Sequence, residues 1–537
     1  MAADDDPTTE GEGMNWWRNA VGYEVYLPSF RDGNGDGWGD LPGLIGELDY
    51  LQWLGIDVLW VTPFYVSPMH DHGYDIADYQ DVDPRFGTLA DVDTLLAEAH
   101  ARGIRVISDL VVNHTSTEHP WFRMSRQSKD NPYRDYYLWR PGGSDGSPPN
   151  NWVATFGGPA WTYDPGTDEW YAHLFTPEQP DLNWSNPKVA DEVESIMRFW
   201  LARGLAGFRV DTAHYLAKHP DLPDNPLLPA DEVRVIGGAV ADWYRYDHRH
   251  DIGQPALRDI HRRWRMLADD HDGFLVGETH ILDPAVLAGY LGDRQGLHSY
   301  FYFGLVQSEV DDGAEADLLR GAVSASTDLS FTQSSHDWAR AASRYGACRA
   351  LALTTLAAGL PGTLFLYQGD ELGLVNGDVP ADQAQDPLAA RGGNHEHNRD
   401  TSRTPMPWRP GPGLGFTTAE QAWLPFGGRT PEDTVDVQRA DPDSLLHAHR
   451  RLLHARQELP DLRGPAPTWL AAPAGITAYR RGNAVVAANL GTTPATLDLP
   501  GAWQVRFSTT GRTTPGPIGP DEAVILLESQ AGGAGRR

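Results

Sequence analysis

Short apolar runs alternate with amphipathic stretches along most of the chain. Eight runs that are rich in β-branched and aromatic residues predict strands at Gly22–Leu27, Ile56–Val61, Ile104–Leu110, Ala206–Asp211, Gly273–Gly277, Ser299–Phe303, Leu329–Gln333 and Thr363–Tyr367. Apolar residues at helical spacing predict helices between several of these strands, at Leu44–Leu54, Leu89–Arg102, Val189–Arg203, Pro255–Asp269 and Arg340–Ala357. Eight strands with intervening helices are typical of a (β/α)8 TIM barrel, an α/β fold. A doubly wound open sheet is the alternative, but no glycine-rich dinucleotide turn follows the first strand.

Two interruptions of this alternation are too long for ordinary loops. Residues 111–185 are rich in Trp, Tyr, Pro and Gly and predict a subdomain inserted after the third strand, and 370–424 form a long polar loop around GGNHEHNRD. After a last helix, Ser444–Gln457, short alternating runs predict an antiparallel β-sandwich. The expected layout is a flexible N-terminus (1–15), the barrel (16–110 and 186–458), the inserted subdomain (111–185), the C-terminal β-sandwich (459–530) and a flexible tail (531–537).

The 537 residues carry a net charge of −31, from 43 basic and 74 acidic residues. This balance argues against binding to nucleic acid or to anionic membrane surfaces, both of which need basic patches. The single cysteine, Cys348, excludes an intramolecular disulfide. The acidic N-terminal segment has no apolar core, and no run approaches the roughly 20 apolar residues of a membrane span, so we expect a cytoplasmic protein. No pattern in the sequence indicates the oligomeric state.

Charged residues fall at the ends of four predicted strands, where a barrel carries its catalytic groups. In Gly207–Asp211, period-two alternation places Arg209 and Asp211 on one face. The third, fifth and seventh strands lead to Asp109 with Asn113-His114, to Glu278 and to His336-Asp337. A single acid in such a place is typical of a helix N-cap or a structural ion pair. Four strand ends that direct acids to one rim favour a catalytic site instead.

Paired carboxylates on one rim suit the cleavage of a glycosidic bond, in which one attacks the anomeric carbon and the other protonates the leaving oxygen. Arg209 is expected to keep Asp211 ionised as the nucleophile. Glu278 follows the apolar run Phe274–Gly277, and a less polar environment suits a protonated acid. Asp337 is expected to stabilise the positively charged transition state.

At these positions the sequence resembles the α-amylase superfamily, glycoside hydrolase family 13. Its four short motifs match Asp109-Leu-Val-Val-Asn113-His114, Gly207-Phe-Arg209-Val-Asp211, Val276-Gly-Glu278-Thr and Ser334-Ser335-His336-Asp337, and the resemblance covers about residues 15–530. The resemblance implies a retaining mechanism with Asp211 as nucleophile, Glu278 as acid/base and Asp337 as transition-state stabiliser. It further implies that three more residues hold the sugar in the cleavage subsite: His114, Arg209 and His336.

Other segments resemble the exo-acting α-glucosidase branch, which includes oligo-1,6-glucosidases. Asp71-His-Gly-Tyr74-Asp-Ile matches the segment that grips the terminal glucose, and Arg399-Asp-Thr-Ser-Arg403 matches an arginine pair. The resemblance implies that Arg399 and Asp71 close a pocket over the non-reducing end, and that Arg403 faces the leaving group. A salt bridge that only fixes the loop is compatible with the same geometry. The inserted subdomain is expected to contribute aromatic walls from Phe156 and Phe175.

The preferred linkage depends on Thr212, directly after the predicted nucleophile. Relatives that favour α-1,6 bonds resemble one another in having Val there, so Thr212 favours α-1,4. Two departures from the family pattern, Ser335 in place of Asn and the pair Trp338-Ala339, lie near the leaving-group side. The alternatives to an α-1,4-glucosidase acting on an oligosaccharide are an α-1,6-glucosidase and a glucosyl transferase or isomerase, such as a trehalose synthase or sucrose isomerase. A non-catalytic, transporter-associated relative is disfavoured because all three acids are present and no membrane span is predicted.

A loop near the start of the chain has the spacing of a calcium site. Oxygen donors alternate, with glycine in sixth place and a backbone carbonyl in seventh, as in an EF-hand loop. The predicted ligands are Asp32, Asn34, Asp36, the Trp38 carbonyl and Asp40. The twelfth-position glutamate is missing, since Gly43 stands there, and a turn with surface acids is the alternative. Resemblance to α-glucosidases with a metal in this loop favours a structural Ca²⁺ or Mg²⁺, and no organic cofactor is expected.

Overall fold

Eight parallel strands close into a barrel. The computed structural model describes residues 15–232, 242–292, 295–307, 314–392 and 398–529. In chain order the strands are β1 Val21–Val25, β2 Val58–Val61, β3 Tyr65–Val66, β4 Asp78–Val82, β5 Arg105–Leu110, β6 Trp139–Arg140, β7 Trp161–Asp164, β8 Glu169–Ala172, β9 Gly207–Val210, β10 Phe274–Gly277, β11 Ser299–Tyr302, β12 Ser330–Phe331, β13 Leu364–Tyr367, β14 Thr468–Trp469, β15 Ile476–Arg481, β16 Ala484–Asn489, β17 Trp503–Ser508 and β18 Glu522–Glu528. The barrel order is β1-β2-β5-β9-β10-β11-β12-β13, and β13 pairs back with β1.

Helices surround the barrel and connect its strands. Within the described ranges they are α1 Leu41–Gly46, α2 Leu48–Leu54, α3 Leu89–Ala101, α4 Pro120–Ser125, α5 Pro187–Arg203, α6 Leu257–Asp269, α7 Pro284–Leu291, α8 Gly304–Gln307, α9 Ala314–Ala325, α10 Ala341–Tyr345, α11 Ala347–Ala358, α12 Pro387–Gly392, α13 Asp400–Arg403, α14 Val435–Ala440 and α15 Leu445–Glu458. No described helix is both long enough and apolar enough to span a bilayer. The cytoplasmic location stays a prediction.

The predicted fold class is confirmed, and each of the eight predicted barrel strands is present with its ends shifted by at most two residues. Two of the predicted helices are each broken into two. Arg340–Ala357 is interrupted at Gly346, whose φ of 78° lies outside the helical region. The helix predicted at Leu44–Leu54 starts earlier, because Asp40 caps the Gly43 amide, and it breaks at Glu47.

Three smaller sheets lie outside the barrel, one of them the antiparallel pair β3 and β4. Strands β6, β8 and β7 form a three-stranded sheet in the segment between β5 and β9, where the inserted subdomain is predicted. The C-terminal domain is a five-stranded antiparallel sheet in the order β14-β15-β16-β18-β17. Two of the predicted features lie outside the described residues. They are the chain ends (1–14 and 530–537) and the centre of the long polar loop (393–397).

The interior of the barrel is filled by large apolar side chains. Trp60, Phe274, Phe301 and Phe365 belong to one buried cluster. Phe274 also explains why β9 begins with glycine, since a Cβ on Gly207, whose φ is 139°, would collide with the backbone oxygen of Phe274. The close approach of β9 and β10 brings the carboxyl ends of these two strands together, with Arg209 paired to Val276.

Candidate active site

The centre of the site is the guanidinium group of Arg209, which three carboxylates share. Its Nη1 lies 2.5 Å from Asp109 and 2.6 Å from Asp211, and its Nη2 lies 2.9 Å from Glu278. All four side chains are less than a tenth exposed. They come from β5, β9 and the end of β10, which are neighbours in the barrel, and Asp109 is in register with Arg209. Trp60 also donates from Nε1 to Asp109 at 2.6 Å.

The sequence predicts that Arg209 keeps Asp211 ionised, and the structure corrects this in part. The ion pair is present and Arg209 lowers the pKa of Asp211, but burial has the larger effect and, together with the repulsion of Glu278 and Asp109, raises this pKa well above its ordinary value. Burial likewise raises the pKa of Asp109 to about 6. Asp109 and Asp211 therefore retain a proton more readily than isolated carboxylates do.

Glu278 does not lie in the apolar environment that the preceding run predicts. Its Oε2 contacts the guanidinium of Arg209 and accepts a hydrogen bond from the Thr212 amide at 2.9 Å. Both contacts fall on the same carboxylate oxygen. Thr212 has a φ of 39°, the left-handed region that β-branched residues rarely adopt. Thr212 therefore combines a strained backbone conformation with an amide that donates to Glu278.

A second charged network surrounds Asp337, beyond the end of β12. Arg399 contacts Asp337 and Asp71, each at 3.0 Å, and thereby bridges the two carboxylates. Arg403 also reaches Asp337 at 2.9 Å, and its Nε donates to the carbonyl of His336. Burial alone would raise the pKa of Asp337, but His336, Arg399 and Arg403 hold it below its usual range. The Arg403 side chain is only 1% exposed, and its predicted position facing the leaving group stays a prediction.

His336 connects the two networks. Its ring stacks between Tyr26 and Tyr74, with 5.4 Å between ring centroids on each side. The Tyr74 hydroxyl lies 2.8 Å from Nε2, which is also 3.2 Å from Asp337. On the other side of the ring, Nδ1 lies 2.6 Å from Glu24 on β1. The Tyr74 ring in turn lies near the guanidinium of Arg209, 6.0 Å away.

The remaining predicted sugar-binding residues form the wall toward the inserted subdomain. His114 is buried, its Nε2 lies 3.0 Å from the Tyr74 carbonyl, and burial lowers its pKa to about 4. Phe175 packs on His114 with 5.0 Å between ring centroids, and Phe156 packs edge-on against Phe175. The Arg399 guanidinium lies 5.0 Å from the Phe156 ring, so this wall meets the Asp71–Arg399 bridge.

The predicted metal loop forms a separate structure. Asp32 accepts from the Gly35 amide at 2.6 Å and the Gly37 amide at 2.8 Å, and Asp36 accepts from the Trp38 amide at 2.9 Å. The atoms of the loop that could bind a metal are all oxygens, as Ca²⁺ requires, but they already accept hydrogen bonds from amides of the loop. Across the described part of the chain no three His, Cys, Asp or Glu side chains are gathered to hold a metal ion. Calcium stays a prediction.

Four residues of the site were not assigned from the sequence. Glu24 is a single acid inside an apolar strand, and this position is the one feature of the sequence that could have indicated its role in the site. Trp60 and Gln179 are common residue types without a distinctive spacing; Gln179 donates to Asp71 at 3.2 Å. Asp386, a partner of Arg399, lies in a loop whose folding no periodicity indicates.

Comparisons with known proteins give a consistent result. A family model described as "Alpha amylase, catalytic domain" matches residues 24–464, and a domain of unknown function, DUF3459, matches 448–525. An oligo-1,6-glucosidase from Parageobacillus thermoglucosidasius is 39% identical over 82% of this chain and 84% of its own length. A probable alpha-glucosidase from Rhizobium meliloti (strain 1021) is 39% identical over 83% and 84%. The crystal structure of an "alpha-glucosyl transfer enzyme, XgtA" superimposes with a TM-score of 0.87 at 37% identity, covering 96% of this chain and 99% of that one.

An eight-stranded barrel that gathers acidic side chains on one rim, in a chain with such relatives, defines a glycoside hydrolase. The two family models together match the chain from the first barrel strand to the C-terminal sheet. The chain belongs to the α-amylase family.

The shared guanidinium predicts opposite pH shifts for two variants. Because the charge of Asp109 raises the pKa of Asp211, Asp109→Asn lowers that pKa, and the acidic limb of kcat/KM moves to lower pH. Arg209→Gln removes the cation and moves the same limb to higher pH. Each variant is also expected to lose about tenfold or more in kcat/KM, because a charged hydrogen bond is lost. Hydrolysis of 4-nitrophenyl α-D-glucopyranoside across the pH range measures both effects; shifts in the same direction contradict the prediction.

Proposed function

We propose that the protein is a retaining α-glucosidase that releases glucose from the non-reducing end of maltose or short malto-oligosaccharides. The observation that supports this most is the bridge from Asp71 through Arg399 to Asp337. A bridge of this kind closes one end of the cleft, so a glucosyl unit fits as the terminal residue of its chain, while an internal residue does not. The aromatic wall of Phe156 and Phe175 meets this bridge and excludes water from the sugar face.

In the proposed reaction, Asp211 attacks the anomeric carbon while Glu278 gives its proton to the leaving oxygen. The C–O bond to the leaving sugar breaks, and an ester bond between Asp211 and glucose forms. Glu278 then removes a proton from water, which attacks the same carbon and frees Asp211. The nucleophile needs to be ionised and the acid protonated, and Arg209, which contacts both carboxylates, favours the ionised form of Asp211.

Glucosyl transfer is the second candidate. It shares the covalent intermediate and differs only in whether water or a sugar accepts the glucosyl group. The similarity to a structure titled as an alpha-glucosyl transfer enzyme supports it. The departure at Trp338 also supports it, because this residue follows Asp337 and lies near His280 and Phe303, with 6.4 and 6.5 Å between ring centroids. Aromatic rings beside the leaving group form an apolar face on which an acceptor sugar can stack.

A substrate panel tests the proposal and separates the candidates. The protein is incubated with maltose, isomaltose, sucrose and trehalose, and the products are resolved by chromatography. Glucose as the main product, most rapidly from maltose, supports the α-1,4-glucosidase, whereas new disaccharides with little glucose support a transferase or isomerase. No product from any of the four sugars overturns both proposals. Asp211→Asn serves as the inactive control.

Thr212→Val tests the proposed linkage preference. The substitution keeps the branched shape and the strained backbone but removes the hydroxyl, which lies 3.3 Å from Asp211. We expect the ratio of kcat/KM for isomaltose to that for maltose to rise about tenfold, the scale on which one side-chain group discriminates substrates. Thr212→Ser, which keeps the hydroxyl, is the matched control, and an unchanged ratio in Thr212→Val contradicts the assignment.

We further propose that the loop Asp32–Asp40 binds Ca²⁺ as a structural ion. Its oxygen donors support this, and the loop is joined to the segment 416–423 by the stacking of Trp38 on Trp423. After EDTA treatment, CaCl₂ at about 100 times its Kd is expected to stabilise the fold by about 2.7 kcal/mol, seen as a higher melting temperature. Asp36→Asn keeps an oxygen for the Trp38 amide but removes the charge. An equal response to CaCl₂ in this variant contradicts the assignment.

A further inference from the structure

Asp386 is a fully buried carboxylate that binds one side of Arg399. Its Oδ1 accepts from Arg399 Nη2 at 2.8 Å and from Nε at 3.1 Å. Its Oδ2 accepts from the Arg399 backbone amide at 2.7 Å and from Nε at 3.2 Å. The side chain of Asp386 is 0% exposed, whereas that of Arg399 is 11% exposed. One carboxylate therefore fixes both the backbone and the side chain of this arginine.

The remaining donors of Arg399 point away from Asp386. Nη1 reaches Asp337, and Nη2 reaches Asp71 in addition to Asp386. The planar guanidinium is thus held on one edge and presents the opposite edge to the sugar pocket. Although burial raises the pKa of Asp386, Arg399 brings it below its usual range, so the carboxylate carries its charge at neutral pH.

Asp386 itself is held by its own loop. Its amide donates to Asp400 at 3.0 Å, and its Oδ1 accepts from the Leu388 amide at 3.0 Å. Asp400 begins the short helix that directly follows Arg399. The segment before α12 is thereby tied to the segment that carries the arginine, across a distance of 13 residues in sequence.

We propose that Asp386 is a positioning residue for the glucosyl pocket, which acts through Arg399. Without it, the guanidinium loses the anchor that holds it between Asp71 and Asp337, and the pocket over the non-reducing end is no longer closed in one geometry. A charged group placed by a buried partner is effective because its orientation is fixed before the substrate binds. This inference rests on the proposed glucosidase function and names a residue that determines its pocket.

A double-mutant cycle tests the proposal. The variants are Asp386→Asn, Arg399→Ala and the two combined, with Asp382→Asn as a control that removes an exposed charge from the same loop. For Asp386→Asn we expect kcat/KM on maltose to fall about 30-fold, the usual effect of breaking a buried charge pair. Because Asp386 acts through Arg399, the double variant is expected to lie within about twofold of Arg399→Ala alone, since effects of residues in one network do not add.

Two further readouts separate positioning from a general loss of structure. A structural defect lowers the fraction of active protein and so lowers kcat alone, whereas a displaced Arg399 also raises KM. Binding of the glucose mimic 1-deoxynojirimycin, measured by calorimetry, is expected to weaken about tenfold or more in Asp386→Asn and to remain unchanged in Asp382→Asn. The proposal is overturned if the loss in kcat/KM of the double variant equals the product of the losses in the two single variants. It is also overturned if KM and inhibitor affinity are unchanged in Asp386→Asn.

The cycle also distinguishes this inference from the proposed function. A wild-type protein that binds 1-deoxynojirimycin but cleaves none of the four sugars refutes the hydrolase proposal, and the cycle measured on inhibitor binding still decides the role of Asp386. A wild-type protein that fails to bind the glucose mimic overturns both.

Discussion

The site depends on the sharing of one buried guanidinium by three carboxylates. Arg209 occupies a β9 position from which it reaches acids on both neighbouring strands, so the relative placement of Asp109, Asp211 and Glu278 follows from barrel register. Burying a charge without a partner is costly, and breaking such a group destabilises the fold. The same ion pairs that hold these strand ends together therefore also lower the pKa values of Asp109 and Asp211, which burial raises. Fold and protonation state cannot be changed independently here.

Both charged networks contain more acids than cations. Three carboxylates face Arg209, and three others, Asp71, Asp337 and Asp386, face Arg399 and Arg403. His336 and Tyr74 join the two networks. In the proposed reaction the sugar gains positive charge in the transition state, and a surplus of carboxylates favours that state over the neutral ground state.

Much of the fold was predictable because strand and helix periods are local properties. The ends of the eight barrel strands followed from apolar runs, and the barrel then placed Arg209, Asp211 and Glu278 on one rim. Loop contacts were not predictable. Asp386 meets Arg399 only through the folding of a polar segment, and Glu24 meets His336 across 312 residues. The pKa of Asp211 also depends on how many acids share one cation, which is a property of packing and not of the spacing between Arg209 and Asp211.

Thr212 shows how backbone strain serves this arrangement. A β-branched residue in the left-handed region is unfavourable by about 1–3 kcal/mol, and such strain persists only where the surroundings enforce it. Here the Thr212 amide binds Glu278 and its hydroxyl lies near Asp211, so the residue contacts both predicted catalytic acids. A glycine would remove the strain but would also allow other backbone conformations, in which the amide leaves Glu278. The surroundings of the turn, and not the branched side chain, therefore hold this conformation, and the Thr212 side chain lies where the leaving sugar is expected.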